Sequence, residues 1–404
     1  MKRRLILITI LALVLSSFAG SVLVSSAQDT PTLVIWADED RAAVIEELGA
    51  TFEEEYGVDL QVELLQFGDI RDQLRIKGPA GEGPDVIIGA HDWLGELVLN
   101  GLVAPVDLGD TAEGFVPVAL QAFTYESQLY GVPYAVENIA MFRNTDLVPE
   151  APATWEEVLA ISEEIHSADA EMYGFIRQEG DPYHFFPIQT AFGGYVFGED
   201  EDGNYDPEAV GIDDEGSVAA LQYITDMIDA GLIPTGLDGN AAQALFMEGK
   251  AGMYITGPWN LEAFTDAGVP FAISPIPAAE EGGAPGAPFL GVQGFMVSAF
   301  SEQPLLAQAF LTDFVATEEV QQALFEAGGR PSALLSVAEG IEDENLAALD
   351  EAGAVGKPMP AIPEMSAVWS AWGDAVTLAM QGEQTAEEAF TDAAANIRET
   401  IAGN

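Results

Sequence analysis

The sequence predicts an α/β protein with mostly parallel sheets, and two features carry that prediction. Short apolar runs alternate with segments whose apolar residues recur at helical spacing, and this alternation returns in the second half of the chain. Helices that connect parallel strands produce this order of elements. With 404 residues, 49% of them hydrophobic, the chain is long enough to bury two substantial cores.

The first hundred residues read as repeated β-α units. Leu33-Val34-Ile35-Trp36 is typical of a buried strand, and the helical spacing that begins at Arg41 ends at Gly57. Sheets of this kind bind ligands beyond the carboxyl ends of their strands. The further predicted elements of this region are the strands Val58 to Leu64 and Asp85 to Ile88 and the helix Asp92 to Leu99, closed by Gly101.

A second β-α region follows two predicted strands, Tyr134 to Val136 and Ala140 to Arg143. Thr154 with Glu157 three residues later forms a capping box that predicts the start of a helix. The last hundred residues are predicted to be mainly helical. The remaining predicted helices are Val218 to Ile228, Ala241 to Glu248, Pro304 to Ala327, Met365 to Gln381 and Thr385 to Ile401, and the remaining strands are Gly252 to Thr256, Phe271 to Ile276 and Phe289 to Ser298.

The charge balance is strongly acidic and excludes several partners. The 67 Asp and Glu outnumber the 13 Lys and Arg, which gives a formal net charge of -54. Such a surface repels nucleic acids and anionic lipids. Two interpretations stay open, a salt-adapted solvated surface and a functional acidic face. The absence of cysteine excludes a disulfide scaffold.

The first 27 residues have the composition of a secretory signal peptide. Met1-Lys2-Arg3-Arg4 precedes an apolar run from Leu5 to Leu15, and small residues lead to Ala27. The alternative, an uncleaved anchor, needs a longer apolar run. Without cysteine a lipid anchor cannot form, so we expect a periplasmic protein cleaved near Ala27.

An ordered set of short motifs carries a family resemblance. Together they resemble the periplasmic maltose/maltodextrin-binding proteins of ABC importers, within the extracellular solute-binding family. Each motif alone is weak, but the ordered set covers nearly all of the chain after residue 27. The motifs are Leu33-Val34-Ile35-Trp36 with Asp40-Arg41, Gly83-Pro84-Asp85-Val86-Ile87, Ala90-His91-Asp92, Tyr134-Ala135-Val136-Glu137, Thr154-Trp155-Glu156-Glu157, Gly257-Pro258-Trp259 and Met359 to Trp369.

The resemblance implies a two-lobed periplasmic-binding-protein fold. Each lobe would be a mostly parallel sheet flanked by helices, and three crossovers would form a hinge around a sugar in the cleft. Glycines at the crossovers fit, because glycine tolerates the backbone changes of a hinge. The implied boundaries are residues 28–135 and 295–329 for lobe 1 and 136–294 and 330–404 for lobe 2, with crossovers near Ala135 to Glu137, Gln293 to Phe295 and Gly328 to Arg330.

The resemblance also implies sugar-binding residues in the first lobe and at the first crossover. A sugar offers hydroxyl groups and apolar C–H faces, so charged planar groups and aromatic rings suit it. By this resemblance the residues are Asp40, Arg41, Asp92 and Glu137. Helix capping by the aspartates and a hinge-anchoring ion pair of Glu137 are the structural alternatives.

In the second lobe the resemblance implies one acid and several rings. Asp181-Pro182-Tyr183 resembles the Glu-Pro-Tyr of the family, although Asp is one carbon shorter and a plain turn is the alternative. Trp259 and Trp369 match two aromatic platforms. Trp372 shares the helical face of Trp369 and either extends the platform or packs in the core.

Several positions depart from the family pattern. Gly89 stands where the family commonly has Trp, and Trp93 where it has Arg, so the aromatic group is interpreted as shifted by four positions. Ser370 and Gly373 replace a Tyr and an Arg. The exact sugar is therefore open.

No cofactor or metal is predicted. His91 lies beside Asp92, but the two other histidines form no cluster with ligand spacing. The acidic stretch Asp200 to Asp206 begins like a calcium loop, but its glycine is at 203 and Gly211 stands at the twelfth position. A hairpin turn at Asp202-Gly203-Asn204 is the preferred interpretation.

Binding is the predicted function, and we expect no enzyme activity. The expected protein is a monomer that closes on a maltose-like oligosaccharide and presents it to a membrane ABC permease. A different sugar such as trehalose is the first alternative. A secreted glycosidase is the second, because carboxylates and aromatic rings also build hydrolytic clefts.

Overall fold

Two β-sheets flanked by helices form the frame of the protein. The computed structural model describes residues 30–200 and 205–403, and residues from Thr32 onward form one unit. The strands in this part of the chain are β1 (Thr32–Ala37), β2 (Asp59–Leu64), β3 (Val86–Ala90), β4 (Val103–Ala104), β5 (Thr124–Tyr125), β6 (Gln128–Leu129), β7 (Gly131–Glu137), β8 (Ala140–Asn144), β9 (Tyr173–Ile176), β10 (Phe197–Glu199), β11 (Tyr205–Val210), β12 (Ala251–Thr256), β13 (Phe271–Ser274), β14 (Phe289–Ser298) and β15 (Lys357–Pro358).

Helices cover both sheets and make up most of the C-terminal hundred residues. The α-helices are α1 (Glu39–Leu48), α2 (Ala50–Tyr56), α3 (Phe67–Lys77), α4 (Leu94–Leu99), α5 (Pro117–Ala122), α6 (Trp155–Ala168), α7 (Pro182–Ala191), α8 (Glu215–Asp229), α9 (Gly239–Met247), α10 (Leu261–Asp266), α11 (Pro304–Ala309), α12 (Glu318–Gly328), α13 (Leu335–Ala338), α14 (Glu344–Gly353), α15 (Val368–Met380) and α16 (Ala386–Gly403). Tighter 3₁₀ turns span His91–Trp93, Gly109–Gly114, Pro258–Asn260 and Pro363–Ala367, and a π-helix spans Phe310–Val315.

The first sheet has the order β15-β14-β3-β1-β2, with β4 and β7 also paired to β14. The second has the order β13-β8-β12-β9. β1 is parallel to β2 and β3, and β9 is parallel to β12, whereas β14 is antiparallel to β3 and β7, and β8 to β12 and β13. This α/β architecture confirms the predicted fold class.

Most strands within each sheet point the same way, as predicted, but the prediction missed the reversed strands. In the second sheet β8 runs against its three companions, and in the first β14 and its neighbour β15 run against the others. β8 follows directly after β7 of the first sheet, and β14 follows β13 of the second. A strand that arrives from the other sheet without a helical crossover enters at the opposite end, which reverses its direction.

The chain passes from the first sheet to the second between Glu137 and Ala140, and it returns to the first sheet between Ser274 and Phe289. Gln293 to Phe295, predicted as a crossover, lies inside β14, where it pairs with both β3 and β7. At Gly294 a Cβ would stand 2.6 Å from the Phe123 ring, so close packing requires this glycine. The lobe boundaries stay a prediction.

Local signals decide where several helices begin and end. The Thr154 hydroxyl accepts a hydrogen bond from the Glu157 backbone N–H at 3.2 Å, which confirms the predicted start of α6. One helix predicted between Arg41 and Gly57 is instead two, divided at Gly49. The long helix predicted from Pro304 is also divided, because Thr317 caps the separate helix α12.

Two predictions fall wholly or partly outside the described residues. The predicted signal peptide at 1–27 lies outside them, and so does the predicted turn at 202–204. The strands on either side of that turn, β10 and β11, are described and pair antiparallel. In the described part of the chain, no helix has the length and apolar character needed to cross a membrane.

Candidate functional site

A cavity of about 750 Å³ lies beyond the carboxyl ends of strands from both sheets. Its wall includes residues one to three positions after the ends of β1, β2 and β3 of the first sheet and of β9 and β12 of the second. This is the edge at which open α/β sheets bind ligands. Nine of the ten predicted site residues line the cavity, namely Asp40, Arg41, Asp92, Trp93, Glu137, Asp181, Tyr183, Trp259 and Trp369.

Arg41 is held by two carboxylates of its own helical turn. Its guanidinium forms ion pairs with Asp38 and, at 3.3 Å, with Asp40. Asp38 also caps α1, because its side chain accepts from the Arg41 backbone N–H. Arg41 is 3% exposed, so most of its charge is neutralised inside the cavity wall.

A second ion-pair cluster joins three separate segments of chain at the cavity. The Nε of Arg330 lies 2.8 Å from Glu137, and its NH1 lies 3.5 Å from Asp40. Gln293 donates from its side-chain amide to the other Glu137 oxygen at 3.0 Å. Burial lowers the pKa of Arg330, but the surrounding negative charges, Glu137 first, outweigh burial and raise it. Glu137 thus lines the cavity and forms an ion pair there, and its contact with a sugar stays a prediction.

Asp92 and Trp369 meet across the cavity wall. The indole N–H of Trp369 donates to Oδ2 of Asp92 at 3.0 Å. Burial raises the pKa of Asp92 to about 6, while Arg71 and this hydrogen bond lower it. The cavity therefore contains one carboxyl group that titrates close to neutral pH.

Asp181 caps α7 and is already well provided with donors. Its Oδ1 accepts from the Tyr183 backbone N–H at 2.9 Å, and its Oδ2 accepts from the Gln178 amide and lies 2.9 Å from Nδ1 of His184. Burial raises the pKa of Asp181, but His184 and the other partners outweigh burial and bring it to about 2. The carboxylate stays ionised at neutral pH.

Two tryptophan rings lie against glycines that leave room for them. A Cβ at Gly89 would stand 2.6 Å from the Trp93 ring, so Trp93 fills the space of the side chain missing at 89. This arrangement agrees with the predicted four-position shift of the aromatic group. At Gly257 a Cβ would stand 2.3 Å from the Trp259 ring. The Gly-Pro-Trp motif therefore sets where its ring lies.

Trp372 is the exception among the predicted site residues. It is 0% exposed, and its ring stacks on Trp369 at 6.0 Å with an interplanar angle of 19°. Trp372 follows Trp369 by three residues on α15 and lies deeper in the core, where its ring centroid is 6.2 Å from that of Phe186. The prediction of a ligand contact is therefore corrected: Trp372 supports the Trp369 ring from behind.

Other cavity residues were missed as site residues. Arg330 and Gln293 were assigned only to crossovers, and Gln178, His184 and Phe67 were not singled out. His184 follows Asp181 by three residues, a spacing that brings the two side chains together on one helical turn, and this signal was available. Gln178 likewise lies three residues before Asp181, whereas Arg330, Gln293 and Phe67 come from distant segments that only the folded chain assembles.

His91 is a buried structural residue in the turn directly after β3. Its Nδ1 accepts from the Val292 backbone N–H at 3.1 Å, and its Nε2 lies 3.2 Å from the Met359 carbonyl. Burial lowers its pKa to about 4, so it is neutral at pH 7. Across residues 30–200 and 205–403, no three His, Cys, Asp or Glu side chains group closely enough to hold a metal ion.

These features define a class: an α/β protein with two sheets that meet at a cavity walled by aromatic rings and paired charges. The profile of the family described as bacterial extracellular solute-binding protein matches residues 47–352. The chain belongs to this family, and its fold is the predicted two-lobed one.

Relatives align over most of the chain. A galactooligosaccharide-binding protein of Bacillus subtilis is 33% identical over 91% of this chain and 89% of its own length. A maltodextrin-binding protein of the same organism is 27% identical over 97% and 95%. A maltooligosaccharide ABC transporter solute-binding lipoprotein of Streptococcus pneumoniae is 29% identical over 93% and 90%.

The raised pKa of Asp92 predicts a pH-dependent effect of Asp92→Asn. Folding favours the protonated carboxyl, so this group's stabilising contribution is complete at low pH and is lost as pH rises through about 6. The shift from 3.8 corresponds to at most about 3 kcal/mol. We expect Asp92→Asn to raise the free energy of unfolding at pH 8 and to change it little at pH 4.

Urea denaturation of the ligand-free protein at both pH values measures this effect. Asp374→Asn on the exposed face of α15 is the matched control, with the same change in charge but no burial. An equal stabilisation by Asp92→Asn at pH 4 and pH 8 would contradict the assignment.

Proposed function

We propose that this protein is the oligosaccharide-binding component of an ABC importer. One observation carries the proposal: aromatic rings and paired charged groups from both sheets line one cavity. Rings present faces to the apolar C–H surface of a sugar, and the charged groups hydrogen-bond its hydroxyls. The ligand would contact both lobes at once, and such contact shifts a two-lobed protein toward its closed form.

The aromatic part of the wall suits a chain of sugar rings. Tyr183, Trp259 and Trp369 are half-buried, so each keeps an accessible portion of its ring. The rings of Trp93 and Phe67 pack together on the side of the first sheet, with their centroids 4.9 Å apart. Several platforms spread over a cavity of this size favour an oligosaccharide over a single sugar.

The charge of the wall favours a neutral ligand. Six carboxyl side chains and three arginines line the cavity. The acids are Asp38, Glu39, Asp40, Asp92, Glu137 and Asp181, and the arginines are Arg41, Arg71 and Arg330. An anionic saccharide would meet a net negative wall within a strongly acidic protein.

Two sugar classes are the leading candidates for the ligand. A maltodextrin-like α-glucan agrees with the names of two of the relatives, and a galactooligosaccharide agrees with the third. Trehalose, a smaller neutral sugar, is a further alternative. Among these we propose the maltodextrin-like ligand, because more of the relatives are named for it.

We also propose how the protein is exported and arranged. Residues 1–27 would be its signal peptide, and the mature protein would meet a membrane permease as a monomer without catalytic activity. Lobe 1 would contain most of the first sheet and lobe 2 the second sheet, with the cavity between them. The ion pairs of Arg330 would join the hinge segments at Glu137 and Gly328.

A thermal-shift panel of sugars tests the proposed function. Maltose, maltotriose, maltotetraose, a β-linked galactotriose and trehalose are each added at a saturating concentration. We expect maltotriose or maltotetraose to raise the melting temperature most, because a ligand present at 100 times its dissociation constant stabilises the folded state by about 2.7 kcal/mol. No shift with any of these sugars would contradict the proposal.

Two further measurements accompany the panel. Small-angle scattering should give a smaller radius of gyration with the bound sugar, as expected for closure. Chromatography of the sugar after prolonged incubation should recover it intact, and shorter products would favour a glycosidase instead.

The two stacked tryptophans of α15 predict different mutant effects. Trp369→Ala removes a ring at the cavity surface and should weaken sugar binding by at least about tenfold, since an aromatic contact contributes on the order of 1 kcal/mol beyond its buried area. Trp372→Phe, one layer deeper, should change affinity less than threefold. Calorimetric titration gives both dissociation constants, and equal losses in the two variants would contradict the assignment.

Ligand charge provides a separate test. A maltotriose whose reducing end is oxidised to a carboxylate should bind at least about tenfold more weakly than maltotriose reduced to the neutral alditol, because like charges repel in a desolvated site. The difference should shrink at high salt, as screening weakens the repulsion. Equal affinities for the two open-chain derivatives would contradict a neutral-selective wall.

A further inference from the structure

Asp181 has little hydrogen-bonding capacity left for a ligand. Its two oxygens accept from the Tyr183 backbone N–H, from the Gln178 amide and from His184. The Arg177 guanidinium in addition donates to the Asp181 backbone carbonyl at 3.3 Å, which holds this turn in place. A short carboxylate with three partners inside the protein is a poor direct acceptor for a sugar hydroxyl.

The same contacts fix the protonation pattern of His184. An ionised carboxylate can only accept hydrogen bonds, so the atom 2.9 Å from it, Nδ1 of His184, has to be a donor. In the neutral imidazole Nε2 then carries no hydrogen and is an acceptor. Asp181 therefore determines which ring nitrogen is left to accept a further hydrogen bond.

That second nitrogen is unpartnered. His184 lines the cavity and is 5% exposed, and its Nε2 is buried without a hydrogen-bond partner among the described residues. The rings of Tyr183 and Trp259 flank the His184 ring edge to face, with ring centroids 5.6 and 5.9 Å from its own. A buried acceptor without a donor costs free energy, and a donor supplied by a ligand would recover it.

We propose that His184 presents the hydrogen-bond acceptor of this part of the cavity to a ligand hydroxyl, and that Asp181 is a positioning residue that acts through His184. The inference rests on the proposed oligosaccharide function and names a specificity-determining residue within it. It also gives a reason for the shorter acid: Asp181 reaches His184 instead of the ligand. A hydroxyl between the Tyr183 and Trp259 rings would donate to Nε2.

A double-mutant cycle tests the proposal, with maltotriose and a β-linked galactotriose as the probes. The variants are His184→Phe, Asp181→Asn and the double variant, and asparagine is chosen because it retains helix capping. We expect His184→Phe to weaken binding about tenfold, the usual loss for one hydrogen bond. Asp181→Asn should weaken binding in the wild-type background and have no further effect beside His184→Phe.

A histidine that does not line the cavity provides the control variant. His166→Phe makes the same change on α6 away from the cavity and should leave the affinity unchanged. Unchanged affinity in His184→Phe, or a full additional loss from Asp181→Asn in the double variant, would overturn the inference while leaving the proposed function intact. A wild type that binds neither trisaccharide would instead contradict the proposed function for these sugars, and the inference with it.

A ligand-free measurement covers the case in which a variant fails to fold. The chain has only three histidines, so nitrogen NMR can assign their rings with the help of His166→Phe. At pH 8 the wild type should carry the His184 proton on Nδ1 and none on Nε2. A proton on Nε2 would overturn the proposal without any sugar being present.

Discussion

A buried arginine needs a carboxylate partner, and the pairing of Arg330 is the constraint on which this cavity depends. Its partner Glu137 is the last residue of β7 and its partner Asp40 lies in the first turn of α1, while Arg330 itself follows α12. Its guanidinium also lies 5.7 Å from the centroid of the Trp259 ring. One cation therefore fixes the relative positions of three chain segments and an aromatic platform. Its removal would leave Glu137 without a cationic partner, whereas Asp40 would keep its ion pair with Arg41.

The aromatic platforms depend on small residues as much as on the rings themselves. Trp93 and Trp259 lie in space left by Gly89 and Gly257, and at Gly373 a Cβ would stand 2.9 Å from the Gly180 carbonyl. That close approach brings α15, with Trp369, toward the turn that carries Asp181. Gly257 belongs to a motif that matches the family, but Gly89 and Gly373 depart from the family pattern and still contribute to how the rings pack here.

The sequence predicted the elements better than their directions, for physical reasons. Periodicity reports which residues of an element are buried, so β14 was predicted to the residue, and the capping box at Thr154 did the same for the start of α6. It contains nothing about strand direction, so the reversal of β8 was missed. In the site, sequence reasoning marked nine of the lining residues. It missed Arg330 and Gln293 as site residues because their partners lie far along the chain. It misplaced Trp372 because this residue differs from Trp369 only in its depth below the cavity surface.

The paired charges of the wall bear on how the cavity would discriminate. Glu137, Asp92 and Asp181 already accept hydrogen bonds within the protein, so they are held in place before any ligand arrives. A preorganised site loses little entropy on binding. The atoms that still lack partners, such as the Tyr183 hydroxyl and Nε2 of His184, are the ones a ligand has to satisfy. A sugar that fails to reach them leaves buried groups unpaired, so these atoms, more than the conspicuous acids, would decide which oligosaccharide is preferred.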